Sequence, residues 1–138
     1  MRRFRTVSGM LAPALAFLAL TGCGPGPASS AESLKASIED AAMSVQGIAS
    51  AQVHVNMNTS GNFITAKLVG TGNDEATLTR ALEGALPAML EKTENLQSGT
   101  FSTTIFSPDD AVSVGADALG YTGGTGLTDF REFFLNRP

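Results

Sequence analysis

The stretch Gln52-Val53-His54-Val55-Asn56-Met57-Asn58-Thr59-Ser60-Gly61-Asn62-Phe63-Ile64-Thr65-Ala66-Lys67-Leu68-Val69 decides the fold. From Gln52 to Asn58 the side chains alternate strictly. Val53, Val55 and Met57 point one way, and Gln52, His54, Asn56 and Asn58 point the other, which is the two-residue period of a half-buried strand. Thr59-Ser60-Gly61-Asn62 supplies turn chemistry, and Phe63 to Val69 reads as the returning strand. On that strand Ile64, Ala66 and Leu68 share one face, and Thr65 and Lys67 the other. The pattern predicts a β-hairpin with one wet face, as antiparallel sheets commonly have.

Working outward, the segments on either side change to a helical period. Ser29 and Glu32 are spaced as a capping box, Leu34, Ile38, Ala41, Ala42 and Val45 repeat on one face, and Gly47 suits a C′ stop. This predicts a helix over 31–46. After the hairpin, Gly70 to Asn73 turns the chain, and Asp74 and Glu75 suit the positive end of a second helix. Its core stripe is Leu78, Leu82, Ala85 and Met89, with Ala81 and Leu86 beside it, and Pro87 predicts a kink or an early end. Thr100 to Ser107 alternates again as a third strand. Ser107-Pro108-Asp109-Asp110 fits a type I turn or a helix start with proline at its first position, and Val112 and Val114 favour a fourth strand over Ala111 to Leu119. Gly120 to Gly126 has linker composition, and Thr128 suits the cap of a short terminal helix. The order is α-β-β-α-β-β plus a C-terminal helix. It predicts an α+β fold: a two-layer sandwich with an antiparallel sheet of three to four strands and both main helices on one face.

The amino-terminal residues have a different character. Arg2, Arg3 and Arg5 precede an apolar run from Met10 to Leu20, too short to span a bilayer but suited to a signal-peptide core. Leu20-Thr21-Gly22-Cys23 follows, with small residues where cleavage is expected. Residues 1–23 resemble the lipobox signal of bacterial lipoproteins. That resemblance implies a diacylglycerol on Cys23, cleavage between Gly22 and Cys23, and a membrane anchor facing outside the cytoplasm, in the periplasm or at the cell surface. The alternative is an ordinary secretory signal with an incidental cysteine. Cys23 is the one cysteine of the chain, so an internal disulfide is excluded. The expected organisation is a signal peptide over 1–22, a lipidated cysteine and Pro/Gly tether over 23–30, the α+β domain over 31–119, and a Gly-rich linker with the terminal helix over 120–138. Removing the three signal arginines from the formal charge of −4 leaves −7 for the mature part, which disfavours nucleic acid as a partner.

Candidate chemistry is sparse. His54, the one histidine, lies on the wet face of its strand, and Met57 points the opposite way, so the pair does not suggest a shared copper site. No Gly-x-Ser-x-Gly elbow accompanies it, and ligands for zinc are lacking. Asp109, Asp110 and Asp117 do not match an EF-hand spacing, and the glycines of 120–126 are not followed by a Gly-Lys-Ser/Thr phosphate loop. The expectation is therefore no catalytic residue, no metal and no cofactor. Phe130, Phe133 and Phe134 concentrate aromatic surface on the terminal helix, which either docks on its own core or is offered to a partner. The first five elements, over residues 31–107, resemble the α-β-β-α-β order of BON domains, on element order and on the hairpin ending at Gly70. That resemblance implies a phospholipid contact. Together these readings predict an anchored accessory or adaptor protein acting by binding, with an envelope protein partner. A hydrolase using exposed carboxylates or His54 is the alternative of another class.

Overall fold

A computed structural model describes residues 27–136 of the chain. Leu20 to Cys23, the rest of the expected signal peptide and the first part of the expected tether lie outside these residues. The elements are α1 (Pro27–Met43), β1 (Ile48–Asn58), β2 (Gly61–Gly70), α2 (Glu75–Glu91), β3 (Thr100–Phe106), β4 (Ser113–Gly115), a 3₁₀ turn (Ala116–Leu119) and α3 (Leu127–Leu135).

The hairpin forms as its alternation dictates. β1 and β2 pair antiparallel with Val53 opposite Ala66, Val55 opposite Ile64 and Asn58 opposite Gly61, so Thr59 and Ser60 alone make the loop. The Asn58 side chain closes it, its Oδ1 accepting from the Ser60 amide at 2.8 Å and the Ser60 hydroxyl at 2.6 Å. Gly61 follows at φ 142°, a value side chains resist.

The sheet order is β1-β2-β3-β4, and here one expectation is corrected. β3 pairs with β2 parallel, with Ile64 beside Phe101, Ala66 beside Thr103 and Leu68 beside Ile105. The sheet is mixed rather than wholly antiparallel, while the α+β class stands. The cause is connectivity. α2 carries the chain back across the sheet before β3 begins, and such a crossover makes the incoming strand parallel. β4 then returns antiparallel, with Val114 opposite Ile105.

One face of the sheet is buried by the helices. Val53, Ile64, Ala66, Leu68, Phe101, Ile105 and Val114 join Ile38 and Ala42 of α1 and Leu78, Leu82, Leu86 and Met89 of α2 in a single core. The other face carries Gln52, His54, Thr65, Lys67 and Ser102 in the open.

Element ends differ from expectation for local reasons. α1 begins at Pro27, inside the segment expected to be a tether, because proline is tolerated in the first helical turn, where its missing amide costs nothing. α2 is capped by Asp74, whose carboxylate accepts from the Thr77 amide at 2.9 Å and the Thr77 hydroxyl at 2.8 Å. It runs through Pro87 to Glu91, so the proline does not end it; burial of Leu86, Met89 and Leu90 outweighs the lost backbone bond. The fourth strand keeps only Ser113–Gly115 of its expected length. Before it, residues 107–112 are held as a turn, with Ser107 Oγ donating to Asp109 and accepting from the Val112 amide, and with Asp110 at φ 65°.

Residues 120–126 are not a linker. Tyr121 is buried, the Phe101 amide donates to the Thr125 carbonyl at 2.8 Å, and the Leu127 amide donates to the Gly99 carbonyl at 2.8 Å. Glycine-rich composition was the misleading signal. These backbone bonds attach the segment to β3 and bring α3 into the same domain.

Candidate functional site

Cys23 and Gly22, the positions where lipidation and cleavage are expected, lie outside the described residues. The aromatic residues of α3 are described, and two of them are occupied by the chain's own core. Phe130 and Phe134 are each 4% exposed. The Phe130 ring lies 5.1 Å from that of Phe101 and 4.4 Å from that of Tyr121, and Phe134 stacks 6.0 Å from Phe130. Phe133, half-buried, meets Tyr121 at 5.3 Å edge to face. Of the two readings of the terminal helix, Phe130 and Phe134 follow the one in which it docks on its own core: an amphipathic helix whose apolar stripe meets an uncovered core edge packs there. Burial, and then the nearby Asp129 carboxylate, push the Tyr121 hydroxyl above its ordinary pKa, and the hydroxyl donates to the Gly124 carbonyl at 2.8 Å.

His54 is exposed on the open sheet face, opposite Thr65. Asp109 is held below the usual carboxylate range by the Ser107 hydroxyl and the Ala111 amide, so it serves its own turn. Among the described residues no three His, Cys, Asp or Glu side chains gather as a metal site, and no helix is long and apolar enough to cross a membrane.

The feature that sequence reading missed is a cleft of about 620 Å³ at one end of the sandwich, within the usual size range of ligand sites. α1 contributes Ser30, Ser33, Leu34 and Ser37 from successive turns of one face. β1 contributes Met57, the last residue of its inward-facing set, and the end of α2 contributes Lys92, Asn95 and Leu96. Leu34, Met57 and Leu96 are each half-buried, and three serine hydroxyls, an amide and an ammonium accompany them. Among the described residues of the lining Lys92 is the one that is charged, and none is a carboxylate.

The walls are fixed from outside the cleft. Thr93, fully buried, donates its hydroxyl to the Leu90 carbonyl at 2.7 Å, and its own carbonyl accepts from the Arg131 guanidinium of α3 at 2.5 Å. The Leu96 amide returns to the Thr93 carbonyl at 2.9 Å. α3 therefore acts on the cleft indirectly, by holding the segment that carries Lys92 and Leu96. On the α1 side, the Glu39 carboxylate accepts from the Val53 amide at 2.9 Å and lies 3.2 Å from the Lys35 ammonium. The Val53 bond, with lesser help from Lys35, holds Glu39 below the usual carboxylate range against the opposing effect of burial. It also covers an amide of β1, an edge strand whose open groups would otherwise invite pairing.

A shallower depression of about 410 Å³ adjoins the cleft through Ser37 and Lys92. Asp40 and Glu91 line it, so the sign of the surface changes along the α1–α2 seam. No protein-family model, curated protein or solved structure matches the chain.

Proposed function

We propose that the chain is a lipid-anchored envelope protein whose α+β domain is a non-catalytic binding module, an accessory or adaptor held at the membrane through Cys23. The observation that carries the binding reading is the cleft between α1, Met57 and the end of α2, whose described lining residues include no carboxylate. The anchor reading rests on Leu20 to Cys23 behind a basic and apolar leader. Only residues 24–26 separate Cys23 from the start of α1, and a fully extended chain of that length reaches about 10 Å. The domain would therefore work close to the bilayer, and two acyl chains suffice for stable residence there.

Two measurements test this. Cys23→Ser should move the protein from the membrane to the soluble fraction of fractionated cells and remove the acyl mass; an unchanged membrane fraction overturns the anchor. In-cell crosslinking followed by affinity purification should return a stoichiometric protein partner, and its absence overturns the adaptor role. The order α1-β1-β2-α2-β3 favours a BON-like phospholipid contact as the second reading. Co-sedimentation of Cys23→Ser protein with anionic vesicles at low salt tests that reading, and protein left in the supernatant rejects it.

A further inference from the structure

We propose that the cleft captures the free C-terminal end of a partner polypeptide, with an apolar last side chain in its interior and the terminal carboxylate at Lys92. The inference rests on reading the domain as a binding module and names the ligand of that module's cleft. Three observations lead to it. First, the lining is divided: Leu34, Met57 and Leu96 offer apolar surface suited to one side chain, while Ser30, Ser33, Ser37, Asn95 and Lys92 offer hydrogen-bonding groups. An all-alkyl ligand would leave those polar groups desolvated without partners, whereas a peptide terminus has carboxylate oxygens and amides to match them.

Second, the charge is complementary to a single anion. The described residues of the lining hold one ammonium and no carboxylate, on a chain whose acidic residues outnumber its lysines and arginines by 13 to 9. Third, the backbone that carries the cation is held in place: the Lys92 amide caps α2, and Arg131 fastens the carbonyl of the next residue from α3. A fixed site loses less conformational entropy on binding than a mobile one. Capture of a terminal carboxylate is an established mode of peptide recognition, and a cleft of about 620 Å³ accommodates the last one or two residues of a chain.

The test uses the full chain carrying Cys23→Ser, so that no acyl group competes for the cleft. Fluorescence anisotropy follows a fluorescein-labelled peptide of sequence Gly-Ser-Gly-Ser-Gly-Leu with a free carboxylate. Saturable binding is expected. The peptide's C-terminal amide and the Lys92→Gln protein should each bind about tenfold more weakly, the loss of one charge-assisted hydrogen bond. Replacing the peptide's leucine with glycine should weaken binding at least about tenfold, as expected for one buried side chain. Ser33→Trp places a bulky ring in the cleft without touching Lys92 and should abolish binding while leaving the circular dichroism spectrum unchanged. Equal affinity for the amide overturns the proposal, and so does a Ser33→Trp protein that still binds. Dodecanoate binding more tightly than the peptide also overturns it, by assigning the cleft to lipid. If the peptide fails while crosslinking still returns a protein partner, the ligand assignment falls and the adaptor reading stands.

Discussion

Phe130→Ala removes one of the residues through which α3 joins the core, beside Leu127 and Phe134. Its side chain is 4% exposed and contacts the rings of Phe101, Tyr121 and Phe134, with centroid separations of 5.1, 4.4 and 6.0 Å. Truncating a buried phenylalanine costs about 3–5 kcal/mol, from lost transfer energy and the cavity left behind. A domain of this size loses roughly 4 °C of melting temperature per kcal/mol, so the expected drop is about 12–20 °C. The chain has no tryptophan and one tyrosine, so Tyr121 fluorescence reports this cluster without interference. Urea unfolding followed by that signal and by far-UV circular dichroism should give coincident transitions at lower midpoint with unchanged slope. Phe133→Ala, at a half-buried position, should cost less than Phe130→Ala. A Phe130→Ala protein losing under about 0.5 kcal/mol would refute the docking of α3, because that is the cost of a surface change. If the same variant also lost its crosslinked partner, α3 would be an interaction helix instead.

Pro87→Ala should raise stability by about 1–3 kcal/mol, returning an amide donor to the interior of α2, and equilibrium urea unfolding checks it. Gly47→Ala should lower it by about 1–2 kcal/mol, since Gly47 sits at φ 98° and a Cβ there would come within 3.0 Å of the Ala81 side chain; the same assay applies. Glu39→Gln should flatten the acid limb of a melting-temperature against pH curve. The folded-state pKa of Glu39 is lowered from 4.5, so its contribution is fully present above that value and is lost as pH falls through the lower folded value. His54→Ala should change stability by no more than about 0.5 kcal/mol and leave partner capture intact, as befits an exposed residue on the open sheet face.

The fold was legible where one period governs a long stretch. The alternation of Val53, Val55 and Met57 against Ile64, Ala66 and Leu68 placed the hairpin, its buried face and the exposure of His54. The Leu78, Leu82, Ala85 and Met89 stripe placed α2. Strand direction was not legible, because parallel and antiparallel strands share one side-chain period; only the path of α2 over the sheet distinguishes them. The glycines of 120–126 misled because backbone composition is silent about tertiary hydrogen bonds. The Phe101 amide and the Thr125 carbonyl belong to segments that share no sequence pattern. Tyr121 was the available signal, as a large aromatic residue inside an otherwise small and polar run.

The cleft was illegible for a different reason. Its residues are drawn from three elements, and on α1 the contributing face reads as polar: Ser30, Ser33 and Ser37 are what a solvated helix surface shows. Lys92 and Asn95 follow the end of α2, where a basic residue is ordinary complement to the helix dipole. Met57 belongs to the apolar set of β1, whose alternation is explained by a half-buried strand alone. Each residue has an adequate local explanation, so none stands out alone. What brings them together is that Arg131, thirty-eight positions beyond Thr93, bonds the end of α2 while the hairpin delivers Met57 beneath α1. Arg131→Ala therefore separates a built site from an incidental gap. If the wall is held for binding, this variant should weaken the carboxylate peptide although Arg131 does not line the cleft, and restoration by Arg131→Lys should be partial because lysine lacks the planar guanidinium. A peptide affinity unchanged in Arg131→Ala would mean that the wall needs no such support.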